Sequence, residues 1–224
     1  MLLYYITDRS QFAGGERERR RLLLESITEA AKAGVDYIQL REKDLSAREQ
    51  ELLAAEAAAI IREQRGDANR QQQIATGLLI NSRSDIALAA GATGVHLRSD
   101  DISASIARGI GQEVLTRGSR FEFRSSVIAV SCHSPADVAR AEKESADFAV
   151  FAPVFEKKAA PEMKPQGLAA LGAACKAKIP VLALGGVTLE NAASCIEAGA
   201  AGVAGIRLFQ ENRIGEVVRS LREL

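Results

Sequence analysis

The 224 residues suit one large α/β domain, and a hydrophobic content of 47% excludes a disordered chain. The 29 basic and 29 acidic residues cancel, so the charge balance gives no reason to expect nucleic acid or an acidic membrane surface as a partner, and small molecules are expected instead. Cys132, Cys175 and Cys195 have neither CxxC nor zinc-type spacing and read as reduced thiols of a cytoplasmic protein.

The run Leu2-Leu3-Tyr4-Tyr5-Ile6 is too short for a signal segment or a membrane span and is expected to be a first strand. A helix over 19–33 follows and stops at Gly34. Next comes the stretch around which the chain is organised, Asp36-Tyr37-Ile38-Gln39-Leu40-Arg41-Glu42-Lys43. In an extended chain alternate residues share a face, so Gln39, Arg41 and Lys43 point one way while Ile38 and Leu40 point the other. Sending an amide, a guanidinium and an ammonium to one side is costly unless that side is wet or holds an anion. The second strand is therefore expected to end in an anion site.

Ser46-x-x-Glu49 has the spacing of a capping box and starts a helix to about residue 65, after which 66–73 is a polar connector. A third strand at 78–80, a short helix over 84–90 ending at Gly91, and a fourth strand at Gly94–Leu97 come next. A helix is expected over 102–109, and the Arg-, Ser- and Gly-rich segment 111–125 has no assigned element. The fifth strand covers 127–130, and Ser134-Pro135 opens a helix with a cap residue followed by proline. Phe148–Phe151 is the sixth strand, 153–165 a proline and lysine loop, and 168–176 a helix. The seventh strand, 180–184, ends at Gly185-Gly186; Thr188 is expected to cap a helix to 198; 202–206 is the eighth strand and 214–224 an amphipathic helix.

The junctions Ala33-Gly34-Val35, Ala90-Gly91 before Val95, and Ala198-Gly199 before Val203 repeat one design, a helix closed by a left-handed glycine and a strand entered through valine. Strand and helix units of ~25 to 30 residues with short apolar strands fit a parallel sheet covered by helices. The expected fold is a single (β/α)8 barrel over 1–224, with an open doubly wound sheet as the structural rival. No dinucleotide-type glycine fingerprint follows the first strand. In a barrel, function belongs at the C-terminal strand ends. Those ends carry Thr7-Asp8, Gln39 to Lys43, Asn81-Ser82-Arg83, His96 to Asp101, Ser131-Cys132-His133, Gly185-Gly186 and Gly205-Ile206-Arg207. The glycines at ends seven and eight would let a phosphate approach the backbone.

The ordered set Tyr5-Ile6-Thr7-Asp8, Gln39-Leu40-Arg41-Glu42-Lys43, Asn81-x-Arg83-x-Asp85, Gly94-Val95-His96-Leu97, Val130-Ser131-x-His133, Pro153-x-Phe155, Gly185-Gly186 and Gly202-Val203-Ala204 resembles the thiamine phosphate synthases and their relatives the thiazole tautomerases, over essentially the whole chain. The resemblance implies a transferase that joins hydroxymethylpyrimidine diphosphate to a thiazole phosphate and releases pyrophosphate with Mg2+. It places Gln39, Arg41, Lys43 and Asn81 on the pyrimidine diphosphate, Asp101 on Mg2+ and Ser131 on the departing pyrophosphate. The backbone at Gly186 and at Ala204, Gly205 and Ile206 would hold the thiazole phosphate. A homodimer is the expected assembly.

The chain departs from that pattern at several positions. Asn81-Ser82 replaces Asn-Asp, and a neutral hydroxyl is a poorer Mg2+ ligand. Arg98-Ser99 replaces Gly-Gln, Glu156-Lys157-Lys158-Ala159-Ala160 replaces a threonine-rich loop, and Arg207 follows the eighth strand. A tautomerase using His133 as acid and base, or a phosphate-binding barrel without catalysis, are the alternatives. Simpler roles are available for several of these residues. Ser82, Asp101 and Ser134 each precede a helix and could cap it. His96 fits a hydrogen-bonded core histidine, Lys157 and Lys158 a solvated loop, and Arg41 and Lys43 an ion-pair layer with Asp8, Glu42 or Asp44.

Overall fold

Each strand contributes two sets of side chains, and their alternation builds the molecule. The computed structural model describes residues 1–67, 75–116, 126–156 and 164–224. Eight parallel strands close into a barrel in chain order, and strand eight pairs with strand one through Leu2↔Gly202 and Tyr5↔Gly205. The strands are β1 (Leu2–Ile6), β2 (Tyr37–Leu40), β3 (Gly77–Asn81), β4 (Gly94–Leu97), β5 (Val127–Cys132), β6 (Phe148–Phe151), β7 (Val181–Ala183) and β8 (Gly202–Gly205). The helices are α1 (Glu16–Ala33), α2 (Ala47–Asp67), α3 (Ser84–Ala89), α4 (Ala104–Thr116), α5 (Pro135–Lys143), α6 (Gly167–Ala174), α7 (Ala192–Glu197), α8 (Arg207–Gln210) and α9 (Ile214–Arg222). The closed ring excludes the doubly wound alternative.

One apolar layer lies between strands and helices, where Leu3, Tyr5, Ile38, Leu40, Leu78 and Ile80 meet Leu23, Ile27, Leu53 and their neighbours. A second fills the barrel with Tyr4, Ile6, Leu79, Ala129, Phe148, Val150, Leu182 and Ala204. Near the N-terminal strand ends the rings of Tyr4, Tyr37 and Phe148 pack against one another at centroid distances of 5.2 to 6.3 Å. They close the barrel from below. Above this aromatic floor the inward positions turn polar: on β2 the order is Tyr37, Gln39, then Arg41 just past the strand.

Local chemistry explains the boundaries. Glu49 accepts from the Ser46 backbone N–H at 2.9 Å and Ser46 accepts from the Glu49 N–H at 3.3 Å, so the expected capping box starts α2. Ser134 caps α5 by accepting from the Asp137 N–H. Gly34, Gly91 and Gly199 all have positive φ at helix ends, as the repeated junctions required.

Other boundaries differ from the sequence reading. Helix α1 begins at Glu16, because Glu16 and Glu18 suit a helix N-terminus and precede the basic run. Helix α4 reaches Thr116, well into the segment left unassigned. Thr188 does not cap α7; its N–H donates to Asn191 Oδ1 at 2.8 Å, and that asparagine turn delays the helix to Ala192. Strand β2 stops at Leu40, and the short helix α8 has no counterpart in the sequence reading. The rest of the unassigned segment (117–125), most of the polar connector, and Lys157 and Lys158 lie outside the described residues.

Candidate active site

The C-terminal strand ends surround a cavity of about 1110 Å³. Gln39, Arg41, Lys43, Asn81, Ser131, His133, Gly186, Ala204, Gly205 and Ile206 all line it. Asp101 alone of the expected site residues does not. The alternation along β2 has the consequence foreseen: Arg41 and Lys43 meet the cavity, and among the described residues neither has a carboxylate within ion-pairing distance.

Glu42 points the other way and builds the ion-pair layer. It is buried, accepts from the Thr7 hydroxyl at 2.6 Å, and accepts from the Arg9 backbone at 3.0 Å and its guanidinium at 3.1 Å. Arg9 also pairs with Asp44 at 2.7 Å and Glu16 at 2.7 Å. Burial works against the Arg9 charge, but the bonds to Asp44, Glu16 and Glu42 more than offset it, and its pKa is raised. Thr7 in turn accepts from the Arg41 N–H at 3.0 Å. The acids therefore serve Arg9, which the sequence reading did not single out, and their network fixes the backbone that presents Arg41. An acid on the apolar face of a strand end was the available signal, since it demands a buried cation.

Burial lowers the Arg41 pKa, with Asp8 and Glu42 acting in the opposite direction. The Lys43 pKa is lowered first by the nearby Arg41 charge, then by burial and by Arg98. Two mutually repelling cations facing a cavity are relieved when an anion enters. Below them Gln39 Nε2 donates to Asn81 Oδ1 at 2.8 Å, while Gln39 Oε1 is buried without a hydrogen-bond partner among the described residues.

His96 lies in the barrel centre, hydrogen-bonded as a core histidine should be. Its Nδ1 is 2.9 Å from the Tyr4 hydroxyl and its Nε2 is 2.7 Å from Ser131 Oγ. Burial and the Arg41 charge push its pKa down to about 3, so the ring is neutral at neutral pH. Burial also raises the pKa of Tyr4, which keeps its proton. A neutral imidazole accepts at one nitrogen and donates at the other. With His96 as the partner of its fully buried hydroxyl among the described residues, Tyr4 donates to Nδ1. Nε2–H then donates to Ser131 Oγ, which leaves the serine proton for the cavity. Tyr4 thus orients His96 from the barrel interior, although only the barrel register reveals it.

His133 Nδ1 donates to the Ala152 carbonyl at 2.8 Å, since a carbonyl only accepts. In the neutral ring Nε2 is then a bare base. Across the cavity, Gly186 has φ +68°, and a Cβ there would lie 2.5 Å from the Glu156 carbonyl oxygen and 2.7 Å from Phe155 Cβ. Only glycine fits that close turn.

Asp101 lies behind Arg98. Its Oδ2 accepts from the Arg98 N–H at 2.7 Å, and its Oδ1 from Arg98 Nη2 at 3.1 Å and Nε at 3.3 Å. Burial would raise its pKa, but hydrogen bonds from Ser82 and Arg98 hold it below the ordinary aspartate value. Ser82 has φ 61°, an uncommon conformation for a residue with a side chain. Among the described residues no three His, Cys, Asp or Glu side chains are grouped to hold a metal ion.

A closed parallel barrel with a polar, cation-bearing cavity at its C-terminal strand ends defines a (β/α)8 enzyme of small molecules. The chain belongs to the thiamine monophosphate synthase family, whose sequence model matches residues 3–209. It is 38% identical over 210 residues to a putative thiamine-phosphate synthase 2 of Aquifex aeolicus, covering 93% of this chain and 97% of that protein. It is 41% identical over 204 residues to a putative thiamine-phosphate synthase of Geobacter sulfurreducens, covering 90% of this chain and 83% of that one. The structure of a thiamine phosphate pyrophosphorylase from Pyrococcus furiosus superposes with a TM-score of 0.76 at 26% identity, over 99% of this chain and 94% of that one. No helix among the described residues is long and apolar enough to cross a membrane.

Proposed function

We propose that the cavity binds hydroxymethylpyrimidine diphosphate and hydroxyethylthiazole phosphate and joins them to give thiamine phosphate and pyrophosphate. The observation that carries this reading is the pair Arg41 and Lys43, which among the described residues have no ion-paired carboxylate, standing over a buried Gln39 Oε1 that has no hydrogen-bond partner among those residues. The cations suit a diphosphate, and the buried acceptor suits the amino group of an aminopyrimidine. The glycine turn at Gly186, with Ala204, Gly205 and Ile206 beside it, suits the second phosphate, and Arg207 lines the same cavity. A cavity of about 1110 Å³ leaves space for both molecules, given that single-ligand pockets run from ~300 to ~1,000 Å³.

In the reaction the carbon–oxygen bond between the pyrimidine methylene and the diphosphate breaks, and the electron pair leaves on the diphosphate. The thiazole nitrogen lone pair then forms the carbon–nitrogen bond. Arg41, Lys43 and the Ser131 hydroxyl meet the charge that grows on the leaving oxygens, while Gln39 and Asn81 orient the ring. No protein nucleophile is required. The Mg2+ implied by the resemblance to the synthases finds a poor site at Asp101. Both its oxygens are engaged by Arg98, an arrangement that fits a guanidinium better than an octahedral metal ion.

Incubation of the purified protein with both substrates, followed by chromatography for thiamine phosphate, tests the reading; no product with Mg2+ present overturns it. The bare Nε2 of His133 favours a second reading, proton transfer within a thiazole carboxylate phosphate. Accelerated thiazole tautomerisation, lost in His133→Asn, would select that reading if no thiamine phosphate forms. The free cysteines support a cytoplasmic location. Light scattering after size-exclusion chromatography tests the homodimer.

A further inference from the structure

We propose that the Arg98 guanidinium, clamped by Asp101, stands in for a divalent cation, so that diphosphate is held by Arg98, Arg41 and Lys43 without a protein-bound metal. The proposal rests on the synthase reading for its substrate. Mg2+ requires about six oxygen ligands at ~2.0–2.1 Å and is usually anchored by carboxylates. Here Asp101 offers both oxygens to Arg98, at 2.7 Å to the backbone N–H and 3.1 Å to Nη2. Ser82 brings no charge. Asp100, the other acid nearby, is exposed and is itself 3.5 Å from Arg98 Nε. A metal at Asp101 would have to displace a guanidinium, and among the described residues the neighbouring carboxylate, Asp100, lies against that same guanidinium.

Arg98, unlike Asp101, lines the cavity. Asp101 takes only part of its fork of N–H donors, which leaves the rest for a ligand. The two donors Nε and Nη2, both reaching Asp101 Oδ1, also orient the guanidinium, so less side-chain freedom is lost when an anion binds. Arg41, Lys43 and Arg98 line the same cavity, and the Arg98 charge opposes protonation of Lys43. They would share the charge that leaves with the diphosphate, and the bond changes are those of the transfer described above.

Inorganic pyrophosphate is the probe, titrated calorimetrically into the full chain in EDTA and again with excess Mg2+. The expected result is binding in EDTA within a few-fold of that in Mg2+, weakened tenfold or more by Arg98→Ala and partly restored by Arg98→Lys. Arg98→Ala combined with Ser82→Asp is expected to bind pyrophosphate only with Mg2+, and to immobilise Mn2+ in electron paramagnetic resonance where the wild type does not. The proposal is overturned if the wild type binds pyrophosphate only with Mg2+, or if Arg98→Ala leaves the metal-free affinity unchanged. The two readings fail separately. Thiamine phosphate formed with Mg2+ but not in EDTA removes the role of Arg98 and keeps the synthase. No product under either condition, with metal-free pyrophosphate binding intact, removes the synthase and keeps the Arg98 anion site.

Discussion

Replacing Arg9 by alanine isolates the network that fixes the backbone presenting Arg41. The Arg9 and Glu42 side chains are 5% and 2% exposed, so solvent does little to screen what is lost. After truncation the buried Glu42 carboxylate retains the Thr7 hydroxyl and the residue 9 backbone N–H but loses the guanidinium. Removing one partner of a buried pair costs about 3–5 kcal/mol, and the two retained hydrogen bonds put this case near the lower end. At ~2–4 °C per kcal/mol for a chain of this size, the melting temperature should fall by roughly 6–12 °C. Calorimetry or circular dichroism checks it. Adding Glu42→Gln to Arg9→Ala should recover part of the loss, because the orphaned charge is gone. A cost below about 1 kcal/mol for Arg9→Ala, or a further loss in the double variant, would refute the buried-pair account.

Further perturbations probe the site itself. Arg41→Ala should lower kcat at least ~100-fold with little change in melting temperature, since among the described residues Arg41 has no ion pair to lose; unchanged kinetics would remove the anion role of β2. His96 stays neutral when folded down to about pH 3, whereas its ordinary pKa is 6.5, so the unfolded chain takes up the proton first on acidification. Stability should therefore drop by about 2 kcal/mol from this group between about pH 7 and 5, and His96→Gln should flatten that slope in thermal melts; an unaltered slope contradicts the buried neutral assignment. Gly186→Ala should raise KM for the thiazole phosphate more than for the diphosphate, because its Cβ would sit 2.5 Å from the Glu156 carbonyl. Equal effects on both substrates would disconnect that turn from the second phosphate.

The composition of the strands made the barrel legible. Short apolar runs, repeated Ala-Gly helix ends and the Ser46-x-x-Glu49 box are local signals, and each depends on residues a few positions apart. Period-two alternation likewise put Gln39, Arg41 and Lys43 on the cavity side and Glu42 on the other before any contact was known. Boundaries were less legible where side chains compete with the helix, as Asn191 does at Thr188.

What the sequence determined by itself, then, was a periodic pattern: which segments become strands, where helices stop, and which strand ends carry polar groups. The tertiary structure decided which of those groups meet. Thr7 meets Glu42 across 35 positions, Tyr4 meets His96 across 92, and Arg98 reaches Asp101 only because the turn after β4 folds back on itself. Closing a ring sets these partners by register and shear, which depend on the whole sheet rather than on any one segment. Arg98 could be read in the sequence as a departure from the family pattern. Its engagement of the carboxylate expected to hold a metal could be read only from the fold.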